Sequence, residues 1–486
     1  MDIAKLKFVA DDSANGCRTQ MPETTEAAEP AETDARRSYQ GETLLSANRS
    51  VNCDTWQSGL NNNVLVLGAS GGGKTRNHIK PNLLQRQGSY IVLDCKGSLY
   101  REVGPFLAEN GYVVDCIDFN TMGGTVGYNP LAHVRWSDGR PLQQDIISIA
   151  SAICPVEDHS SDPFWPYAAA NYLTAYIAYV LEALPKEAQN LASVIRVFEL
   201  AAERQADGLF EELGKEDPFA CAPALYRRSK VTCGAEKMHS SIMGIIAANL
   251  LPLGFAGAVE SYENPKQIDF GSFGREKRAL FVTIDDLDRS LDKLTGLFVQ
   301  QAFSALCRSA DRDYPEHRLP VPVRFVLDDF ANLHLPHIDD VLAVIRSREI
   351  SCTVVCQTIS QLEARYGEAT ANSIVGNCDS QLVLGFQDER TASYYACRAN
   401  KTASTLLQTP ANMWWVFVRG QRGAMEPALR LEDHPCYREM LEAEQRAEHQ
   451  CGSAAQRLLE FEEAFEEEFG FEEDFEIEDC WEDRVA

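Results

Sequence analysis

Four apolar residues, Val64 to Leu67, run straight into the glycine-rich stretch GASGGGKT and then into a helix-compatible segment. A buried strand that turns through glycines into a helix suits an anionic ligand, because glycines let backbone N–H groups crowd round it where any Cβ would clash. The spacing from Gly68 to Thr75 is that of a phosphate-binding P-loop, and the strand before and helix after are the context that motif requires. Gly68, Ala69, Ser70, Gly71, Gly72, Gly73, Lys74 and Thr75 therefore form the expected nucleotide loop. Lys74 is expected to reach the β and γ oxygens of ATP, and Thr75 to set its hydroxyl on Mg²⁺. The following helix adds its positive N-terminal dipole.

Such a site also needs a carboxylate for the metal and a group that positions water. VRFVLDDF supplies both: the apolar strand ends in Asp328 and Asp329, read as a Walker B pair. Asp328 is expected to hold the metal's waters, and Asp329 to orient or deprotonate the attacking water. Further on, SCTVVCQT is another buried strand, whose polar end, Gln357, is expected beside the γ-phosphate as a sensor of hydrolysis. Arg346 and Arg348 lie in the connection before it. Each suits a guanidinium offered to a neighbouring subunit's nucleotide.

The segments SYIVLDCKGS, GYVVDCIDF, RALFVTI and SQLVLGF add further short apolar strands. Continuous apolar strands separated by helical segments predict an α/β fold with a mostly parallel sheet covered on both faces. Between about Leu142 and Leu251 the pattern turns helical, in DIISIASAI, YLTAYIAYVLEAL, ASVIRVFELAAE and SSIMGIIAANLL. We therefore expect a nucleotide-binding domain over 43–140 and 262–437, interrupted by an all-α domain over 141–261.

The ends differ from the body. Residues 1–42 are rich in Glu, Thr, Ala and Pro and poor in large apolar side chains, the composition of a disordered tail. Residues 438–486 read as an acidic C-terminal tail: from Glu460 onward fourteen Asp and Glu face the single Arg484, about half of the formal charge of −27. Phe461, Phe465, Phe469, Phe471, Phe475 and Trp481 thread that run, which suggests docking to a basic partner with an apolar groove. The same negative charge argues against nucleic acid over most of the surface and leaves only local basic patches for it.

Fifteen scattered cysteines, several inside apolar runs, read as buried thiols rather than a disulfide framework. A secretory signal is not evident at the N-terminus, so the chain is expected to be cytoplasmic. Two apolar stretches, Tyr167 to Leu184 and Ser241 to Val259, are interrupted by Asn171, Glu182, Asn249 and Pro252, and read as buried helices rather than membrane spans.

The P-loop, DCKGS, YNPL, DPFW, RFVLDDFANL, the glutamine strand and a closing VFVRGQ occur in that order from about Gly41 to Tyr437. In this the chain resembles the TraG-like coupling proteins of conjugative type IV secretion systems. The resemblance implies a RecA-like motor domain carrying an all-α domain, assembled as a homo-hexamer that pumps single-stranded DNA with its relaxase toward the secretion channel. Relaxase, accessory DNA-processing proteins and channel components are the implied partners. Lys74, Thr75, Asp328 and Gln357 match the family's nucleotide site, and Arg346, eleven residues before the glutamine, matches its arginine finger better than Arg348. Three departures stand out: Asp329 replaces the usual Glu, the family's N-terminal membrane hairpin is missing, and the C-terminus is strongly acidic. The chain is therefore expected at the inner face of the plasma membrane through partners. A nucleotide-binding adaptor that recruits relaxase or effectors without pumping DNA remains the alternative.

Overall fold

The computed structural model describes residues 41–156, 162–231, 236–285, 288–333 and 335–450. The N-terminal tail before Gly41 and the aromatic, acidic segment from Glu460 lie outside them. In chain order, β1 (Glu42–Leu44) and β2 (Ser50–Asn52) form an antiparallel hairpin. β3 (Val64–Leu67), β4 (Ser89–Asp94) and β5 (Val113–Asp118) follow, then a short ribbon of β6 (Trp136–Ser137) and β7 (Arg140–Pro141). After a long helical stretch come β8 (Arg278–Thr283), β9 (Val323–Leu327), β10 (Ile350–Cys356), β11 (Ser380–Val383), β12 (Met413–Val418) and β13 (Ala424–Pro427).

Nine of these join in one sheet of order β13-β12-β11-β3-β10-β9-β4-β8-β5. From β11 to β5 every pairing is parallel, and β12 and β13 extend one side antiparallel. All residues of β3, β4 and β11 are buried. The buried polar side chains Asp94 and Gln381 are held by hydrogen bonds, while two-sided burial makes β3 and the centre of β4 unbroken apolar runs. Alternation divides them between two cores: Leu65, Leu67, Ile91 and Leu93 pack on one face, Val64, Val66, Tyr90 and Val92 on the other. Each such side chain contributes about 1.5–3 kcal/mol.

Between Pro141 and Arg278 the described residues hold helices and no strand. Phe164–Ala183 is the hub, buried almost throughout from Ala168 to Leu181. Tyr172 and Tyr176 on it pack against Tyr226, which stacks on Phe210 with ring centres 4.0 Å apart. Glu182, the charge that interrupts this apolar stretch, accepts the N–H groups of Cys221 and Ala222 at 2.9 and 3.0 Å. It thereby satisfies the otherwise unpaired donors at the start of the helix Ala222–Val231.

Two expectations change. The segment Ser241 to Val259 is not one buried helix: Glu236–Leu250 ends in the turn Leu251–Leu253 and restarts as Ala256–Glu263, bent by 73°. Pro252 lacks the N–H that a continuous helix needs there, and Leu251 is 80% exposed. Among the described residues no single helix is long and apolar enough to cross a membrane. The body also extends beyond Tyr437. Residues 437–450 are helical, Met440 and Ala443 are buried in the second core, and Arg446 pairs with Glu109 at 2.8 Å.

Burial depresses three histidines, His78 to about 3 and His133 and His434 to about 4, and nearby Arg324, Arg308 and Arg86 act in the same direction. All three are neutral in the fold. Below the unfolded value near 6.5 the unfolded chain takes up protons that the fold refuses, so stability falls as pH drops from about 6.5 toward about 4. The loss is about 1.4 kcal/mol per histidine per pH unit. His133 packs at a tilt against Phe270, ring centres 4.6 Å apart, and its buried Nε2 makes no hydrogen bond. His133→Phe should therefore make the fall in Tm between pH 7 and pH 5 shallower; an unchanged slope would rule out His133 as a contributor.

Candidate functional site

Because β11, β3, β10, β9 and β4 are parallel, their C-terminal ends open along one edge of the sheet. The glycine loop leaves β3 there. Gly71 and Gly73 take φ of +75° and +88°, and a Cβ on Gly73 would come within 2.8 Å of the Asn77 amide, so that position requires glycine. The chain then enters a wide helical turn, Lys74–Ile79, continued by Lys80–Leu84. Lys74 is buried, and its Nζ donates to the carbonyls of Gly68 and Ala69 at 2.9 and 3.1 Å.

Thr75 Oγ1 donates to Asp328 Oδ2 at 2.8 Å, joining residues 253 positions apart. The strand order explains it: β10 alone separates β3 from β9, and the register aligns Val355 with Val66 and Val354 with Leu327. Asp328 is 7% exposed. Burial raises its carboxyl to about 6, with the Asp329 charge adding to the rise and the Thr75 hydroxyl and Lys74 opposing it. A hydroxyl and a carboxylate in contact at the mouth of the loop form an oxygen donor set suited to a hard cation such as Mg²⁺.

Asp329 is half-buried with φ +45°, in the left-handed region. Its N–H donates to Asp328 Oδ1 at 3.0 Å. Among non-glycine residues Asp and Asn tolerate that conformation best, which gives a structural reason for Asp at this position. The turn after it is held from two sides: Phe330 stacks on Tyr366 at 5.1 Å, and Arg289 donates to the Asn332 carbonyl and Oδ1 at 3.0 and 3.2 Å.

Gln357 is exposed at the end of β10. Gly68 N–H donates to the Cys356 carbonyl at 3.2 Å, so Gln357 leaves the sheet directly beside the start of the loop. Arg346 is elsewhere: its turn, Ile345–Arg348, precedes β10 and so lies at the opposite edge, where the guanidinium donates to the Thr55 carbonyl at 3.0 Å. Arg348 is held in two 2.8 Å bonds to Asp311. The structure thus brings Gly68 to Thr75, Asp328, Asp329 and Gln357 together and keeps Arg346 out of this chain's own site.

Other segments quoted from the sequence have architectural roles. Buried Asp94 accepts the N–H groups of Lys96 and Leu99 at 3.0 and 2.6 Å, anchoring the turn into the helix Ser98–Glu109. Buried Tyr128 donates to Gln301 at 2.8 Å, and Asn129 caps the turn Pro130–His133. Sequence reasoning missed Arg289, which has no local motif and meets Asn332 only through the fold.

A glycine loop on one parallel strand, with a carboxylate pair two strands away, defines a P-loop nucleotide-binding protein with a RecA-like sheet. The chain belongs to the type IV secretory system conjugative DNA transfer family, whose model matches residues 28–402. It is 21% identical over 335 residues to Protein VirD4 of Rhizobium radiobacter, covering 68% of this chain and 47% of that one. Protein VirD4 of Agrobacterium fabrum is likewise 21% identical over 335 residues, covering 68% and 48%. The chain thus spans about half the length of the curated relatives it matches. Among solved structures, the unbound bacterial conjugative coupling protein TrwBdeltaN70 aligns with a TM-score of 0.60 at 16% identity, over 81% of this chain and 90% of that one. Plasmid coupling protein TrwB in complex with the non-hydrolysable ATP analogue ADPNP aligns at 0.56, 16% identity, over 76% and 86%. TrwB with ADP and Mg²⁺ aligns at 0.54, 16% identity, over 76% and 85%. These likenesses establish a shared fold.

The left-handed backbone at residue 329 has a measurable consequence. Asp329→Asn should keep the free energy of urea unfolding within about 0.5 kcal/mol of wild type. Asp329→Val, β-branched at positive φ, should lose about 1–3 kcal/mol. Equal stability of the Val variant would show that the turn relaxes freely.

Proposed function

We propose that this chain binds ATP·Mg²⁺ and hydrolyses it to drive single-stranded DNA, with its attached relaxase, toward the channel of a type IV secretion system. In this reading it works as a homo-hexameric ring at the inner face of the plasma membrane. The observation that carries the nucleotide part is the 2.8 Å bond from Thr75 to Asp328, which sets a metal-binding hydroxyl and carboxylate at the mouth of a P-loop. Family membership supports the transport part.

The roles follow from position. Bound Mg²⁺ would supply neutralisation of the charge on the β and γ oxygens. Thr75 and Asp328 would hold it, and Lys74, now on the Gly68 and Ala69 carbonyls, would turn to phosphate oxygens. The backbone N–H groups from Gly68 to Gly73 cradle the phosphates. Asp329, next in the chain to Asp328, orients or deprotonates the attacking water, and Gln357 senses its consumption. Arg346, at the far edge of the sheet, serves the nucleotide of a neighbouring copy. With a formal charge of −27, the DNA path must be confined to local basic surface.

Steady-state ATP turnover with and without single-stranded DNA tests the reading. Wild type should hydrolyse ATP faster with DNA present, and Lys74→Ala should lose at least about a hundredfold, since it removes the cation that meets the developing charge. ATP binding without turnover in either condition would favour the recruiting adaptor instead.

The position of Arg346 gives a sharper test. Lys74→Ala and Arg346→Ala proteins should each be inactive alone. Mixed in equal amounts they should recover about a quarter of wild-type turnover, because random neighbours then pair an intact loop with an intact arginine. No recovery on mixing would exclude action in trans.

A further inference from the structure

A groove of about 410 Å³ opens where the bend between the helices Glu236–Leu250 and Ala256–Glu263 meets the ends of β5 and β8. Leu251 and Phe255 line it, 80% and 39% exposed, with buried Phe119 behind them. The opposite wall carries Asp285, Asp288 and Asp292, and no Lys or Arg is among the described lining residues. Exposed large apolar side chains rimmed by like charge mark a binding groove rather than solvated surface. The sign of the wall selects the occupant: carboxylates repel nucleic-acid phosphate and attract Lys and Arg.

We propose that this groove docks an extended basic segment of a partner protein, whose apolar side chains seat on Leu251 and Phe255 while its Lys or Arg residues face the carboxylates, and that docking is relayed to the nucleotide site. A chain of contacts joins the two places. Arg289, beside Asp288, lies 3.6 Å from the Asp292 carboxylate and donates to the carbonyl and side chain of Asn332. Asn332 N–H in turn donates to the Asp329 carbonyl at 2.8 Å. A cation drawn to Asp288 and Asp292 competes with Arg289 for the latter and so alters the hold on the Asp329 turn. The relay rests on the ATPase reading above; the docking does not.

The probe is a fluorescein-labelled ten-residue peptide alternating Arg and Leu, followed by fluorescence polarisation on the full chain and, separately, by its effect on ATP turnover. Leu251→Ser, on an exposed side chain whose change leaves the core intact, should weaken binding about tenfold, the scale of a lost interface anchor. Asp285→Asn with Asp288→Asn should weaken it similarly and flatten its salt dependence. A single-stranded oligonucleotide or a polyglutamate peptide should not compete. Arg289→Ala should bind the peptide at least as tightly as wild type, the competition for Asp292 being gone, yet lose the peptide's effect on turnover. Unchanged affinity in the Leu251 and Asp variants, or competition by the oligonucleotide, would overturn the docking. A peptide effect on turnover that persists in Arg289→Ala would overturn the relay. Peptide binding without any ATP turnover would count against the ATPase reading and leave the groove standing.

Discussion

The contact between Thr75 and Asp328 depends on a spacing that the sheet alone provides. Their strands are not neighbours; β10 runs between them and is paired in register with both. A slip of one residue in either pairing would turn the apolar side chains of β10 to the wrong face and move Asp328 away from the loop. Because β3 and β10 are buried nearly throughout, such a slip mispacks both cores at once and is strongly disfavoured. The same burial that fixes the register also raises the Asp328 carboxyl toward neutrality, and Thr75 and Lys74 partly offset it. Packing thus creates the site and also sets the electrostatic demand that a cation there would relieve.

The carboxylate turn is held more firmly than its sequence suggests. Asp329 adopts a left-handed backbone that few side chains accept, and such strain persists only where surrounding contacts over-determine it. Those contacts come from far along the chain: Tyr366 against Phe330, the Tyr366 hydroxyl donating to the Leu333 carbonyl at 3.0 Å, and Arg289 on Asn332. The loop after β8 and the helix after β10 therefore both bear on the Asp329 turn.

What the sequence discloses follows from which interactions are local. The central strands are legible because two-sided burial writes itself as contiguous apolar residues, and the loop because its glycines are consecutive. Gln357 is legible as the first polar residue after such a run. The break near Pro252 is visible only as a proline inside an apolar stretch, and whether proline kinks or ends a helix is decided by packing. The helix at 437–450 is masked by its acidic, Arg-containing face, which reads as tail until Met440 and Ala443 are seen against the core. Asp94 sits in a motif whose spacing gives no hint that the carboxylate caps a helix. Arg289 and Asn332 are joined across 43 residues by the fold alone.

The polarity of the parallel sheet also bears on Arg346. Every strand from β11 to β5 runs the same way, so loops that follow strands share one edge and turns that precede them share the other. Gly68 to Thr75, Asp328, Asp329 and Gln357 belong to the first edge; Arg346, which precedes β10, belongs to the second. No side-chain rotation carries a guanidinium across the seven residues of β10 to the loop it would serve. A role for Arg346 in hydrolysis therefore requires another copy, presented with its second edge against the first edge of this one. That contact is heterologous, using two different surfaces, so it closes only as a ring or continues as a filament. The carbonyl of buried Thr55, at the start of the helix Thr55–Ser58, then fixes the direction in which Arg346 is offered to that copy.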